Sequence, residues 1–171
     1  IGLVGSEMCI RDRLYTGQDS FVPCTPQGCM IMLKEILGND LSGKKAVIFG
    51  RSHIVGRPMA ELLLQANATT TILHSRSKNI KEEAKTADII VAAIGRAEFI
   101  DSSYVKEGAV IIDVGINRIN KDGKNKLVGD VNFDSVIDKA SYITPVPGGV
   151  GPMTIALSLI HISEPTRPIR I

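Results

Sequence analysis

The chain has 171 residues, 44% of them apolar and 22% charged, with a formal net charge of +2 at neutral pH. That is the balance of a soluble globular protein holding one domain, or one domain with fragments of another, and it needs no disulfide staple. Its apolar runs are too short to span a bilayer, and it has no basic block to grip a phosphate backbone, so neither membrane nor nucleic acid is expected as a partner.

Both ends look foreign. Leu157–Arg167, LSLIHISEPTR, can be encoded by an oligonucleotide whose opposite strand, read one base in, encodes LVGSEMCIRD and the start of an arginine codon, which is Leu3–Arg13. Two unrelated segments would very rarely share one duplex, and that duplex resembles an adaptor of transposase-based sequencing libraries. Ile1–Arg13 and Leu157–Ile171 are therefore expected to be non-native tails, to be set aside before the fold is read. Leu157 onward is expected to extend a helix begun near Pro152 by a turn, with Pro165 and Pro168 ending it.

Between the tails, Leu14–Pro26 reads as irregular, with Thr25 capping a helix over Gln27–Leu37 and Pro26 at its first position. A polar turn leads to a β-branched strand, Lys45–Gly50. Gly56–Ala66 follows as a helix, Thr69–His74 as a strand, Ile80–Thr86 as a helix, and Asp88–Ile94 and Ala109–Val114 as strands. A Gly- and Lys-rich turn surrounds Gly123. Phe133–Lys139 is predicted helical and Tyr142–Val146 a last strand before a Pro/Gly loop. Strands alternating with helices at this spacing predict an α/β fold, a doubly wound, mainly parallel sheet of the Rossmann-like kind. Its ligands would sit beyond the carboxyl ends of the strands.

The three cysteines form no C-x-x-C pair. Cys24 and Cys29 read as small buried apolar residues of a reducing, cytoplasmic protein. His53, His74 and His161 are scattered, so no metal site is expected.

Gly50-Arg51-Ser52-His53-Ile54-Val55-Gly56 joins the first strand to its helix. Glycine permits close backbone approach, and a helix N-terminus offers N–H groups and partial positive charge to a pyrophosphate. Ser52 stands where G-x-G-x-x-G has its second glycine, so the loop alone is a weak signal. The second strand ends in His74-Ser75-Arg76, without the acid that holds the ribose 2′-hydroxyl in NAD enzymes. With Arg51, these groups suit a 2′-phosphate; they are equally compatible with solvated loop charges.

PCTPQG (Pro23–Gly28), GRSHIVGRP (Gly50–Pro58), VIIDVGIN (Val110–Asn117), GDV (Gly129–Val131) and ITPVPGGVGPMT (Ile143–Thr154) stand in one order through Leu14–Ala156. Together they closely resemble the bifunctional methylenetetrahydrofolate dehydrogenase/methenyltetrahydrofolate cyclohydrolase family. The resemblance implies NADP-linked oxidation of 5,10-methylenetetrahydrofolate, then hydrolysis to 10-formyltetrahydrofolate, in one-carbon metabolism and purine biosynthesis. It implies that Gly50, Arg51, Ser52 and Ser75 bind NADP, with Ile116 beside the nicotinamide half. It places Pro147, Gly148, Gly149, Val150 and Gly151 on the folate side of the cleft. The full-length parent is expected to be a homodimer that takes the folate substrate.

The same resemblance divides the chain into a remnant of the substrate domain with its linking helix, residues 14–37, and an NADP-binding domain, residues 38–156. The family's Tyr-x-x-x-Lys motif lies in the preceding domain; here Tyr15, Tyr104 and Tyr142 are followed four residues on by Asp19, Gly108 and Val146. No catalytic residue is assigned, and the fragment is expected to bind NADP without turnover. An NADP-sensing regulatory module, or another Rossmann-type dehydrogenase, is the alternative.

Overall fold

The computed structural model describes residues 10, 12–121 and 123–163. In chain order its elements are α1 (Cys24–Leu37), β1 (Lys45–Phe49), α2 (Gly56–Gln65), β2 (Thr69–Leu73), α3 (Ile80–Lys85), β3 (Ile89–Ala92) and β4 (Val110–Asp113). There follow β5 (Asn117–Lys121), β6 (Lys124–Val128), α4 (Phe133–Val136), β7 (Tyr142–Ile143) and α5 (Val150–Ser163). A 3-10 turn, Ser102–Tyr104, precedes β4.

Five strands form one sheet in the order β2-β1-β3-β4-β7, every pair parallel. Lys45 is in register with Thr69 on one side, and Ala46 with Ile89 on the other. The winding therefore reverses between β1 and β3, and a doubly wound sheet opens its ligand crevice beyond the carboxyl ends of such strands.

Strand residues alternate between two buried faces, which explains why the central strands read as continuous apolar runs. Ala46, Ile48, Ile89 and Val91 pack with Leu33 of α1 and Met59 and Leu63 of α2. Val47, Phe49, Ile90 and Ile111 pack on the opposite face with Ala84 of α3, Tyr104 and Val136 of α4. Tyr104 also takes Phe49 edge-on, with ring centroids 6.0 Å apart.

The structure corrects several sequence expectations. α1 starts at Cys24 with Pro23 at its N-cap and no side-chain cap; Thr25 lies inside the helix, where its hydroxyl accepts from Thr154 Oγ1 of α5 at 3.2 Å. Pro26 remains tolerable there, because a first-turn N–H has no helical partner to lose. Cys24 is only half-buried and lies 3.4 Å from His161 Nδ1, while Cys29 is buried in the core as expected. β7 stops at Ile143, since Pro145 and Pro147 have no N–H to continue a ladder. The lysine-rich stretch expected as a turn is an antiparallel hairpin, β5 with β6, pairing Asn117 with Val128. The α-helix predicted over Phe133–Lys139 ends at Val136. α5 starts at Val150 and runs to Ser163, nearly two turns into Leu157–Ile171, with Leu157 buried. The expected break at Pro165 and Pro168, like most of Ile1–Arg13, lies outside the described residues.

Candidate functional site

The carboxyl ends of β1 and β3 meet at Gly50. A Cβ there would overlap the carbonyl oxygen of Ala93, and one at Gly56 would overlap the carbonyl of Gly50. Gly50 also has φ 113°, a conformation L side chains rarely adopt. These two glycines let the strand, the turn and the first residue of α2 pass in contact, the geometry a phosphate loop needs. Ser52 takes a structural role that its sequence position did not show: its Oγ accepts from the N–H groups of Val55 (3.1 Å) and Gly56 (3.3 Å). Its hydroxyl proton is left to donate outward, and the N–H groups of Ser52, His53 and Ile54 have no partner among the described residues.

At the end of β2, the N–H of His74 donates to Ser77 Oγ (3.0 Å) and that of Arg76 to His74 Nδ1 (3.1 Å). This tight turn presents Ser75 and Arg76, both exposed, and contains no acid. Between the turn and the β1 loop lies a cavity of about 510 Å³ that brings together Gly50, Arg51, Ser52 and Ser75. Ile94 and Arg96, after β3, complete its wall. Arg96 lies over the Phe99 ring, 4.5 Å from its centroid.

The remaining sequence-predicted residues gather elsewhere along the same edge. Ile116, 64% exposed, lines a second cavity of about 210 Å³ with Pro147, Gly148, Gly149, Val150 and Gly151. Val146–Pro147 is a cis peptide, and Gly148 has φ 107°. Val150 differs from its neighbours, because its side chain is buried in the core at the start of α5. All ten candidate residues therefore fall into two groups, one at each cavity.

Two buried carboxylates between these groups were missed as functional candidates. Asp113 Oδ1 accepts from the N–H groups of Gly115 (2.9 Å) and Asp130 (3.0 Å), and Oδ2 from that of Val131 (2.9 Å). Burial pushes its carboxyl up to about 6; the three N–H groups oppose that shift, and Asp130 adds to it. Asp130 is fully buried and receives donors from the loop after β3. The signal was available: each is an acid inside an apolar run, within VIIDVGIN and GDV. Arg96 closes Ile94–Arg96, one of the strand-end stretches to which a doubly wound fold directs attention, although the sequence assigned it no role of its own. Among the described residues no group of three or more metal-ligating side chains occurs, and no helix is long and apolar enough to cross a membrane.

The family model for the tetrahydrofolate dehydrogenase/cyclohydrolase NAD(P)-binding domain matches residues 23–167. The chain belongs to that family. This dehydrogenase/cyclohydrolase domain is 61% identical over 149 residues to "Bifunctional protein FolD" of Cereibacter sphaeroides, covering 87% of the chain and 50% of the relative. The crystal structure of the FolD methylenetetrahydrofolate dehydrogenase/cyclohydrolase from Campylobacter jejuni is 50% identical, with a TM-score of 0.81, over 87% of this chain and 52% of that one. A Trypanosoma brucei FolD complexed with NADP cofactor and inhibitor is 37% identical, with a TM-score of 0.81, over 89% and 53%. The chain spans about half the length of the relatives it matches. The residues present fit a dinucleotide: the Gly50–Gly56 cradle would be filled by any Cβ, and the unpaired N–H groups beside it suit an anion.

Proposed function

We propose that the chain is the dinucleotide-binding half of an enzyme that oxidises 5,10-methylenetetrahydrofolate to the 5,10-methenyl form with NADP and hydrolyses the product to 10-formyltetrahydrofolate. The observation that carries the choice of NADP is the larger cavity, where Arg51 of the β1 loop lines one space with Ser75 of the acid-free turn after β2. Gly50 and Ser52 hold the pyrophosphate, while the Arg51 guanidinium and the Ser75 hydroxyl hold the 2′-phosphate. NADP supplies the hydride acceptor. Ile116 gives the nicotinamide half an apolar neighbour, and Pro147, Gly148, Gly149, Val150 and Gly151 form the folate-side wall. A regulatory NADP sensor would have no use for that wall.

The parent enzyme works in the cytoplasm, in one-carbon metabolism that feeds purine biosynthesis, as a homodimer; free Cys24 and Cys29 thiols support a reducing compartment. Residues 14–37 are the remnant of the substrate domain with its linking helix, and 38–156 the NADP-binding domain. The tails, 1–13 and 157–171, are adaptor-derived. The test is a calorimetric titration of the 171-residue chain with NADP and NAD. A charge-assisted hydrogen bond contributes about 1.5–3 kcal/mol, or roughly ten- to over a hundredfold in affinity. Arg51→Ala is expected to weaken NADP by at least tenfold and NAD far less. Equal losses for both would remove the NADP assignment.

A further inference from the structure

Three consecutive backbone N–H groups after β3 converge on one carboxylate. Asp130 Oδ2 accepts from Ile94 (2.6 Å) and Gly95 (2.9 Å), and Oδ1 from Arg96 (2.9 Å). Oδ1 accepts a fourth bond, from Asn117 Nδ2 at 2.8 Å. The acceptor is held from behind: its own N–H donates to Asp113, and a Cβ on Gly115 would overlap its carboxylate. Its donors come from opposite sides. Ile94 and Arg96 line the larger cavity, whereas Asn117 follows Ile116 of the smaller one.

We infer that Asp130 is a positioning residue that fixes the walls of the two cavities relative to each other, so that a single dinucleotide spans both. This rests on the dinucleotide reading above, although Asp130 itself is buried and lines neither cavity. Four donors share this one acceptor group, and the low dielectric around a buried group strengthens each bond. A site ordered in advance spends none of its binding energy on ordering loops. No neutral amide replaces this carboxylate. In either orientation the amide nitrogen of an asparagine at this position would face two donors, from Ile94 and Gly95 or from Arg96 and Asn117.

The test compares two probes on the 171-residue chain by calorimetry: NADP, which reaches both cavities, and 2′,5′-ADP, which carries only the adenosine half. Asn117→Ala cuts the link to the smaller cavity alone. It is expected to leave 2′,5′-ADP within about twofold and to weaken NADP about five- to tenfold. Asp130→Asn is expected to weaken both probes at least tenfold and, without ligand, to speed amide exchange at Ile94–Arg96 beyond any change in β1. Gly115→Ala keeps the carboxylate but displaces it, and is expected to give the same local exchange signature should Asp130→Asn fail to fold. Equal effects of Asn117→Ala on both probes, or none on either, would overturn the inference, as would unchanged exchange at Ile94–Arg96. A wild-type chain that binds neither probe would instead remove the dinucleotide reading, and the exchange data would still decide what Asp130 holds.

Discussion

Asp113 is the residue whose surroundings pull hardest in opposite directions. Three backbone N–H groups favour its carboxylate, and burial beside Asp130 disfavours it; burial wins, lifting the carboxyl from an ordinary 3.8 to about 6. The folded chain then takes up a proton that the unfolded chain has released. Between pH 4 and 6 the folded state binds more protons, so the Asp113 contribution to stability is greatest at the acid end and falls as pH rises through 6. A shift of this size corresponds to about 3 kcal/mol across that window. Asp113→Asn removes the titration and also puts an amide N–H against backbone donors, costing about 1–3 kcal/mol throughout. Urea midpoints measured from pH 4 to pH 7 are expected to show the wild-type advantage shrinking as pH rises to 6. A constant difference would mean that the three N–H groups hold Asp113 at its ordinary value.

At the scale of elements, legibility followed burial. β1, β3 and β4 were readable to within about two residues because both sheet faces bury their side chains, leaving apolar runs bounded by polar residues. The larger cavity was readable as well, since Gly50 and Gly56 are demanded by backbone contact that tolerates no side chain. The β5–β6 hairpin was not, because Arg118, Asn120 and Lys126 carry no alternating apolar signal and the strands rest on pairing with each other. Its one cue was the Asp122-Gly123 dipeptide typical of two-residue turns; Gly123 does take φ 74°. The α1 boundary failed for a different reason: Thr25 looks like a cap, yet its hydroxyl is turned to Thr154 on α5. The two acids were legible as residues and not as a unit, since 17 positions separate Asp113 from Asp130. α1 itself offers a test of how far residues 24–37 are integral to the sheet. Leu33 is fully buried against Ile48, Met59 and Leu63. Leu33→Ala is expected to cost about 2–5 kcal/mol in urea denaturation; a loss below about 1 kcal/mol would make α1 peripheral to the core.

For the whole molecule the question is what a chain spanning about half the length of its relatives can do. The first anchored residue after the proposed N-terminal tail is Leu14, buried, with its carbonyl accepting from Gln65 Nε2 at 2.6 Å. Removing Ile1–Arg13 forfeits the exposed bonds that Thr16 and Gln18 donate to the Asp12 and Arg13 carbonyls but leaves that buried anchor in place, so melting should shift by no more than about 2 °C, the equivalent of under about 1 kcal/mol in a chain of this size. A loss of several degrees would make the segment integral. Catalysis is the harder demand. Holding the folate methylene carbon in contact with the nicotinamide can lower the barrier by roughly 7–11 kcal/mol, but only when both reactants are fixed. Of the folate cleft proposed above, this chain would supply one wall, Pro147–Gly151, which lines a cavity with the exposed Ile116. The hydrolytic step also needs a group to move a proton near the attacked carbon, a contribution of about a hundredfold or more. Among the described residues lining the cavity at Pro147–Gly151 the acid is Asp113, and it is already committed to three backbone donors. The 171-residue chain is therefore expected to bind NADP and to give no methenyl-folate formation above background when followed by absorbance. Turnover approaching that of a full-length relative would mean that the groups completing the reaction lie within this chain, with Asp113 and the Pro147–Gly151 loop the first to mutate.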